Sequence, residues 1–404
     1  MLNVIIIGGG ASGLMSAIWA ARNQCKVTIL EQKDKLGKKI LATGNGKCNY
    51  TNYYQAPACY RGTNNQEAMK VYEAFDVDRT IEFFEELGIY PKERNGYVYP
   101  NSGQAASVLD VLILEAKRLG IHMVCGEKVT EVKKQKGYFV VTTASQSYQG
   151  DRVILTTGGC ASPKLGSDGS GYPIASAFGH RIIKPLPALV QLKSSGKYLK
   201  TLSGVRCDAA ISLLVDLKKV TGERGEVLFA NYGISGIPVM QVSRFASSAL
   251  DAGKKVELSI DFFPELSYQQ LMEQMEKRLV HGKNRTAEEV LIGLLNHKLS
   301  YVLLKEAGIE PELPSSKVKK EAWKKLSNVM KNFTMKITDT NGFENAQTSM
   351  GGVPLSEVDC HTLESKKVKG LYFAGELLDV DGTCGGYNLQ WAWCSGFVAG
   401  SSQN

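Results

Sequence analysis

An apolar run at residues 2–7 (LNVIII) leads into GGGASG; apolar residues then recur three and four positions apart over 11–22, and a second run, KVTILE, closes at residue 31. That pattern predicts a buried strand, a helix and a second parallel strand. Residues 71–88 and 102–120 repeat the helical spacing and each stops at a glycine. From 121 to 157 the period shortens, so that IHMVC, KVTEVKK, GYFVVTTA, SYQG and DRVILTT read as successive strands with short turns, an inserted antiparallel ribbon that returns to a buried strand. Two prolines in KPLPALVQL (184–192) mark a domain boundary. Beyond them VRCDAAISLLVDL, GEVLFAN and KKVELSIDF alternate as strands. The spacing becomes helical over 262–329, where Ser267 with Gln270 and Thr286 with Glu289 form capping boxes, and FTMKITDT (333–340) reads as a strand. Residues 370–374 predict a short buried strand and 388–400 a helix.

The turn between the first strand and helix carries Gly8, Gly10 and Gly13. Gly8 permits the tight turn, Gly10 lets backbone approach a pyrophosphate, and Gly13 allows close helix–strand packing. The helix N-terminus adds free N–H groups and a positive dipole end. Glu31, at the end of the second strand, is placed to accept hydrogen bonds from ribose hydroxyls and to repel a 2′-phosphate, which points to FAD or NAD and away from NADP. The stretch GKKILATGNGKCNYTN (37–52) reads as a loop whose glycines let backbone lie against a flat ligand while Lys and Asn supply donors. Thr157, Gly158 and Gly159 follow the strand at 152–157 and offer further close approach.

The end of the chain mirrors its beginning. Gly375 and Glu376 follow a short strand, and Gly385 and Gly386 precede a helix. A carboxylate there suits a ribityl chain, and a helix start suits negative charge on a reduced flavin ring. Both needs belong to FAD and not to NAD.

Composition adds bounds. The 404 residues allow two or three domains, and 43% hydrophobic with 22% charged residues is ordinary for a globular protein. No apolar run approaches the length needed to cross a bilayer, and the first strand begins at the second residue, so a cytoplasmic protein without membrane association is expected. Nine cysteines without a C-x-x-C pair argue against a disulfide framework and a zinc site, and five histidines lack ligand spacing, so no metal is expected. The net charge of +8 is compatible with nucleic acid, but the lysines of 317–336 fit an exposed helix face, which makes nucleic acid the lesser expectation.

Taken together, the fingerprint, TGNGKCNYTN, TTGG, LFANYGISGIPVMQVS, TSMGGV and FAGELLDVDGTCGGYNLQWA resemble the bacterial aminoacetone-oxidase-like, or BaiN-type, FAD-dependent oxidoreductases over nearly the whole chain. The resemblance implies an α/β fold: a discontinuous Rossmann-type FAD-binding domain (1–189 and 346–404), an inserted β-barrel-like substrate domain (190–260 and 333–345) and a small helical domain (261–332). It puts Gly8, Gly10, Ala11, Ser12 and Gly13 at the pyrophosphate, and Glu31, Gln32 and Lys39 at the adenosine half. The backbone of Val129 meets adenine, and Thr157 and Gly158 lie close to the dinucleotide. Gly44, Asn45, Gly46 and Asn49 approach the flavin side, Gly375 and Glu376 hold the ribityl chain, and Gly386, Tyr387, Asn388 and Leu389 face the pyrimidine edge. Two positions depart from the family: Lys47 stands where an Arg is usual, which weakens any bidentate contact made by that Arg, and Asp168 stands where Thr is common.

A flavin carries the hard chemistry itself, so no catalytic residue is demanded by the cofactor. Cys48 is a candidate, since a thiol in a Gly- and Lys-rich loop beside a flavin can have a lowered pKa, but a small packed side chain is the favoured reading. Tyr387 is the other, as proton donor or substrate wall. No second dinucleotide fingerprint follows a strand, so NADH or NADPH, if it is the reductant, binds transiently. The resemblance leaves open an amine oxidase and a reductase of unsaturated steroid-type substrates. A flavin-dependent RNA-modifying enzyme and a non-enzymatic redox sensor are the remaining alternatives.

Overall fold

Strand Asn3–Ile7 pairs in parallel with Lys26–Glu31 on one side and Arg152–Leu155 on the other. His122–Cys125 and Leu371–Phe373 extend the two edges into a five-stranded parallel sheet. The central strand is buried from Val4 to Ile7, which is why it is written as a continuous apolar run. These assignments come from a computed structural model that describes residues 1–403. It resolves into two compact units, Met1–Pro187 with Ala346–Asn404, and Ala188–Asn345.

In the first unit, helix Ala11–Arg22 follows the fingerprint, and the terminal helix Tyr387–Ser401 packs against it. A Cβ on Gly396 would stand 2.7 Å from the Ser12 carbonyl oxygen, and one on Gly400 2.5 Å from that of Ser16. The two glycines, four apart on one helix face, thus let the helices approach to backbone contact. Most of the terminal helix is buried, including Trp391 and Trp393, whose indole N–H groups donate to Gly375 O and Tyr50 O at 3.0 and 2.9 Å.

Several elements differ from the sequence reading for physical reasons. IHMVC joins the parallel sheet beside Lys26–Glu31 and is not part of the antiparallel ribbon, which comprises Val129–Lys134, Phe139–Thr143 and Ser147–Gly150. The 71–88 stretch is two helices, Asn65–Ala74 and Val77–Glu86, because Asp76 caps the second by accepting from Arg79 N at 3.0 Å. KKILA, read as loop, forms the short helix Lys38–Ala42, entered through left-handed Gly37 and anchored by buried Ile40.

The second unit holds a closed antiparallel barrel, in the order Leu192–Ser194, Gly233–Ser235, Lys218–Ala230, Arg206–Val215, Val256–Asp261 and Phe333–Thr340. Phe333, Met335 and Ile337 alternate inward. The helix Ile237–Asp251 was not legible: its buried face is Val239, Val242, Ala246 and Ala249, helically spaced but mostly small. Both capping boxes form, opening Tyr268–His281 and Ala287–Val290. The run after Thr286 does not continue as one helix, since Asn296 accepts from Lys298 N at 3.0 Å and starts a separate one, His297–Ala307. Leu271, Leu303, Trp323 and Leu326 of the helical segment share one apolar core with the barrel, so barrel and helices form a single unit. Among the described residues no helix is long and apolar enough to cross a membrane.

Candidate functional site

At the C-terminal edge of the parallel sheet the first unit opens a cleft of about 1170 Å³, counted to its solvent-open mouth. Its floor is the fingerprint. Gly8 (φ +107°) turns the chain against Thr156, whose carbonyl oxygen would stand 2.5 Å from any Cβ there. A Cβ on Gly13 would fall 1.9 Å from the Gly8 carbonyl oxygen, so this glycine serves packing. A Cβ on Gly10 would meet nothing within 4 Å. The space above Gly10 is therefore not used by the protein itself. The helix that begins at Ala11 has no side-chain cap and no acidic residue in its first turn, which leaves its N–H groups for an anion.

Glu31 is buried at the strand end, its Oε2 accepting from Gly9 N and its Oε1 from Lys33 N, each at 2.8 Å. Burial raises its pKa, against the pull of those two amides. Each oxygen keeps a lone pair for a ligand hydroxyl. Gln32 donates to Gly166 O at 2.7 Å, and Lys128 pairs with Asp168 at 3.0 Å, so both tie the GSDGSG turn to the rim.

Gly8, Gly10, Ala11, Ser12, Glu31, Gln32, Lys39, Val129, Thr157, Gly158, Glu376, Asn388 and Leu389 all line this one cleft. Lys39 is held by an ion pair within the cleft. Its ammonium lies 2.8 Å from Glu376 Oε2, in the half built by the end of the chain, and the other carboxylate oxygen accepts from Ser349 N and Oγ at 2.8 Å. The Asn388 side chain is committed to its own turn, exchanging two hydrogen bonds with the Gly382 backbone at 2.8 and 2.9 Å. What it offers a ligand is backbone at the helix start. Gly375 (φ +74°) does not line the cleft; it lets the strand end pass Ser12, whose Oγ would be 2.4 Å from a Cβ there.

The remaining expected residues gather beside the cleft and do not line it. Gly44, Asn45 and Gly46 are all left-handed, and so is Cys48, a strained run for two non-glycine residues. Backbone N of Asn49 would be 2.9 Å from a Cβ on Gly44, and its Oδ1 3.1 Å from one on Gly386. That Oδ1 is buried without a hydrogen-bond partner. An unsatisfied buried acceptor beside a helix start is a place for a ligand donor. Thr43, which leads into this loop, also lines the cleft and joins the two clusters.

The Cys48 thiol is fully buried, and burial pushes its pKa up to about 12, which suits a packed side chain and not an activated thiolate. Tyr387 is likewise buried, with its phenol pKa raised by desolvation and its ring edge-on to Tyr60 at 6.0 Å. Lining residues absent from the sequence reading include Lys35, Ser167, Ser170 and Gln347. The two serines stand in the glycine cluster at 166–171, a usable signal; Gln347 reaches the cleft only through the fold.

The donor set fits a dinucleotide: an open space over a helix N-terminus, a carboxylate at the second strand end and a partnerless amide oxygen at the far end. Comparison with known proteins agrees. The family model described as HI0933-like protein Rossmann domain matches residues 2–402. The chain is 44% identical over 99% of its length, and 98% of the relative's, to a 3-dehydro-bile acid delta(4,6)-reductase of Clostridium scindens. It is 32% identical over 98% of its length, and 97% of the relative's, to a ribosomal RNA dihydrouridine synthase of Haemophilus influenzae. A 3-ketosteroid delta1-dehydrogenase structure from Sterolibacterium denitrificans shares the fold, with a TM-score of 0.50 at 13% identity over 99% of both chains. The chain thus belongs to the HI0933-like Rossmann family, and its motifs mark it as an oxidoreductase of the FAD-dependent, BaiN-like kind.

Proposed function

We propose that the cleft holds FAD and that the enzyme saturates a carbon–carbon double bond conjugated to a carbonyl in a small steroid-type substrate, with NADH or NADPH as transient reductant. The observation that carries this reading is the 44% identity, over 99% of the chain, to a 3-dehydro-bile acid delta(4,6)-reductase. Bound there, FAD supplies a two-electron carrier between a nicotinamide and carbon. The chain supplies position and charge. The amides above Gly10 and the N-terminal dipole of helix Ala11–Arg22 hold the pyrophosphate, and Glu31 holds the adenosine ribose. Lys39 and Glu376 hold the middle of the cofactor. The uncapped start of helix Tyr387–Ser401 stabilises negative charge at the ring's pyrimidine edge.

A second reading, reduction of uridine in RNA, is favoured by the dihydrouridine synthase relative and the net charge of +8. Both relatives' names describe saturation of a double bond next to a carbonyl, so the two readings differ in substrate and share chemistry. The test is anaerobic stopped-flow reduction of the purified protein by NADH and NADPH, followed by mixing with a 3-oxo-Δ4 steroid, a uridine oligonucleotide or oxygen. Fast reoxidation by the steroid is the expected result. Turnover with oxygen and an amine, and none with an enone, would turn the assignment to an oxidase.

A further inference from the structure

Strand Tyr97–Pro100 buries Val98 and Pro100 and turns Tyr97 and Tyr99 to the opposite, half-exposed face. The two rings meet glycines. Tyr97 Cε1 would lie 2.8 Å from a Cβ on Gly385, and Tyr99 Cε1 3.8 Å from one on Gly44. One tyrosine therefore abuts the turn that opens helix Tyr387–Ser401, and the other abuts the left-handed loop Gly44–Gly46, the two segments assigned to the flavin side. Asn52 fixes this arrangement, donating to Gly385 O at 3.0 Å and accepting from Tyr54 N at 2.9 Å. Tyr54 itself is 67% exposed. No hydrogen bond among the described residues occupies the hydroxyl of Tyr97 or Tyr99, and partial burial raises the pKa of both phenols, so they stay protonated donors at neutral pH.

We propose that Tyr97 and Tyr99 are the substrate-contacting pair, their rings forming the apolar wall for a polycyclic enone and their hydroxyls donating hydrogen bonds to its carbonyl oxygen. The inference rests on the cofactor and reaction proposed above. As hydride reaches the β-carbon, the π electrons move to the carbonyl oxygen; a proton from solvent then adds at the α-carbon, giving the saturated ketone. The hydride originates in NADH or NADPH. Phenol donors aimed at that oxygen stabilise the charge that develops on it, and a single such donor is worth on the order of 100-fold in rate.

The experiment uses Tyr97→Phe, Tyr99→Phe and the double variant, which keep the rings and their packing. Flavin content and the rate of reduction by NADPH stay within about twofold of wild type. Reoxidation of the reduced enzyme by a 3-oxo-Δ4 steroid slows about 100-fold in at least one single variant and at least as much in the double, and calorimetric binding of the saturated ketone weakens as well. A double variant that reoxidises at the wild-type rate overturns the proposal while leaving the reaction intact. A wild-type enzyme that the steroid does not reoxidise overturns the reaction itself.

Discussion

Lys39 and Glu376 stand 337 positions apart in sequence and 2.8 Å apart in the cleft. The pair joins the short helix Lys38–Ala42 to the segment after strand Leu371–Phe373, so it fastens the two ends of the chain where the cofactor is proposed to lie. Both side chains are partly exposed, at 25% and 18%, and such a pair contributes about 0.5–1 kcal/mol to stability. Lys39→Met should therefore lower Tm by no more than about 2 °C. Its larger effect is on the ligand: FAD should bind about tenfold more weakly, a loss of about 1.4 kcal/mol, read by titration of flavin fluorescence.

Gly10 and Gly13 make opposite predictions although they lie three residues apart. Gly10 has φ −81° and free space around its Cβ position, so Gly10→Val should fold, at a cost of about 1 kcal/mol, and be colourless. Gly13→Val drives a side chain into the Gly8 carbonyl and should lose several kcal/mol, giving little soluble protein. Circular dichroism with flavin absorbance separates the two outcomes. Full flavin occupancy in Gly10→Val would falsify the pyrophosphate assignment.

The contrast shows what a sequence exposes. Gly8, Gly10, Gly13 and Glu31 were legible because one strand–helix–strand unit places them, and the spacing within that unit is local. Residues that reach the cleft through tertiary packing leave no such trace, and Gln347 and Lys128 are examples. Lys39 and Glu376 were each singled out, but their pairing was not, because a contact across 337 positions depends on the order of strands in the sheet. The helix Ile237–Asp251 was missed for a different reason: its small buried residues carry too little apolar signal against the strands on either side. For Cys48, loop composition left two readings open because it says nothing of depth, and depth decides the pKa.

His180 couples stability of the first unit to pH. Its ring is buried, with Nδ1 2.9 Å from Glu357 and Nε2 2.7 Å from Ser365 Oγ, which itself accepts from Lys367 N and Val368 N. With both of those amides donating to it, Ser365 gives its own proton to Nε2, and the neutral ring donates from Nδ1 to Glu357. Desolvation lowers the histidine pKa despite that carboxylate, and Lys367 nearby adds to the lowering. The unfolded chain takes up a proton near the ordinary value of about 6.5, while the folded site resists it. Stability is thus complete above about pH 6.5, falls as pH drops below it, and levels once the folded ring protonates. His180→Gln should cost about 1–3 kcal/mol at pH 8 and flatten the slope of urea-unfolding stability below about pH 6.5.

Cys48 offers the last test, because its loop composition and its burial point in opposite directions. A thiol with a pKa of about 12 is almost wholly protonated at neutral pH, and this one is inaccessible as well. Iodoacetamide at pH 8 should label exposed Cys125 first and leave Cys48 unmodified until the protein is unfolded, as peptide mass spectrometry would report. Cys48→Ala removes one buried sulfur and should destabilise by about 1–2 kcal/mol through the small cavity it leaves. Reduction by NADPH and reoxidation by substrate should stay within about twofold of wild type. A hundredfold loss in either half-reaction, with flavin content intact, would restore the thiol to the chemistry and require a route for its proton out of a buried site.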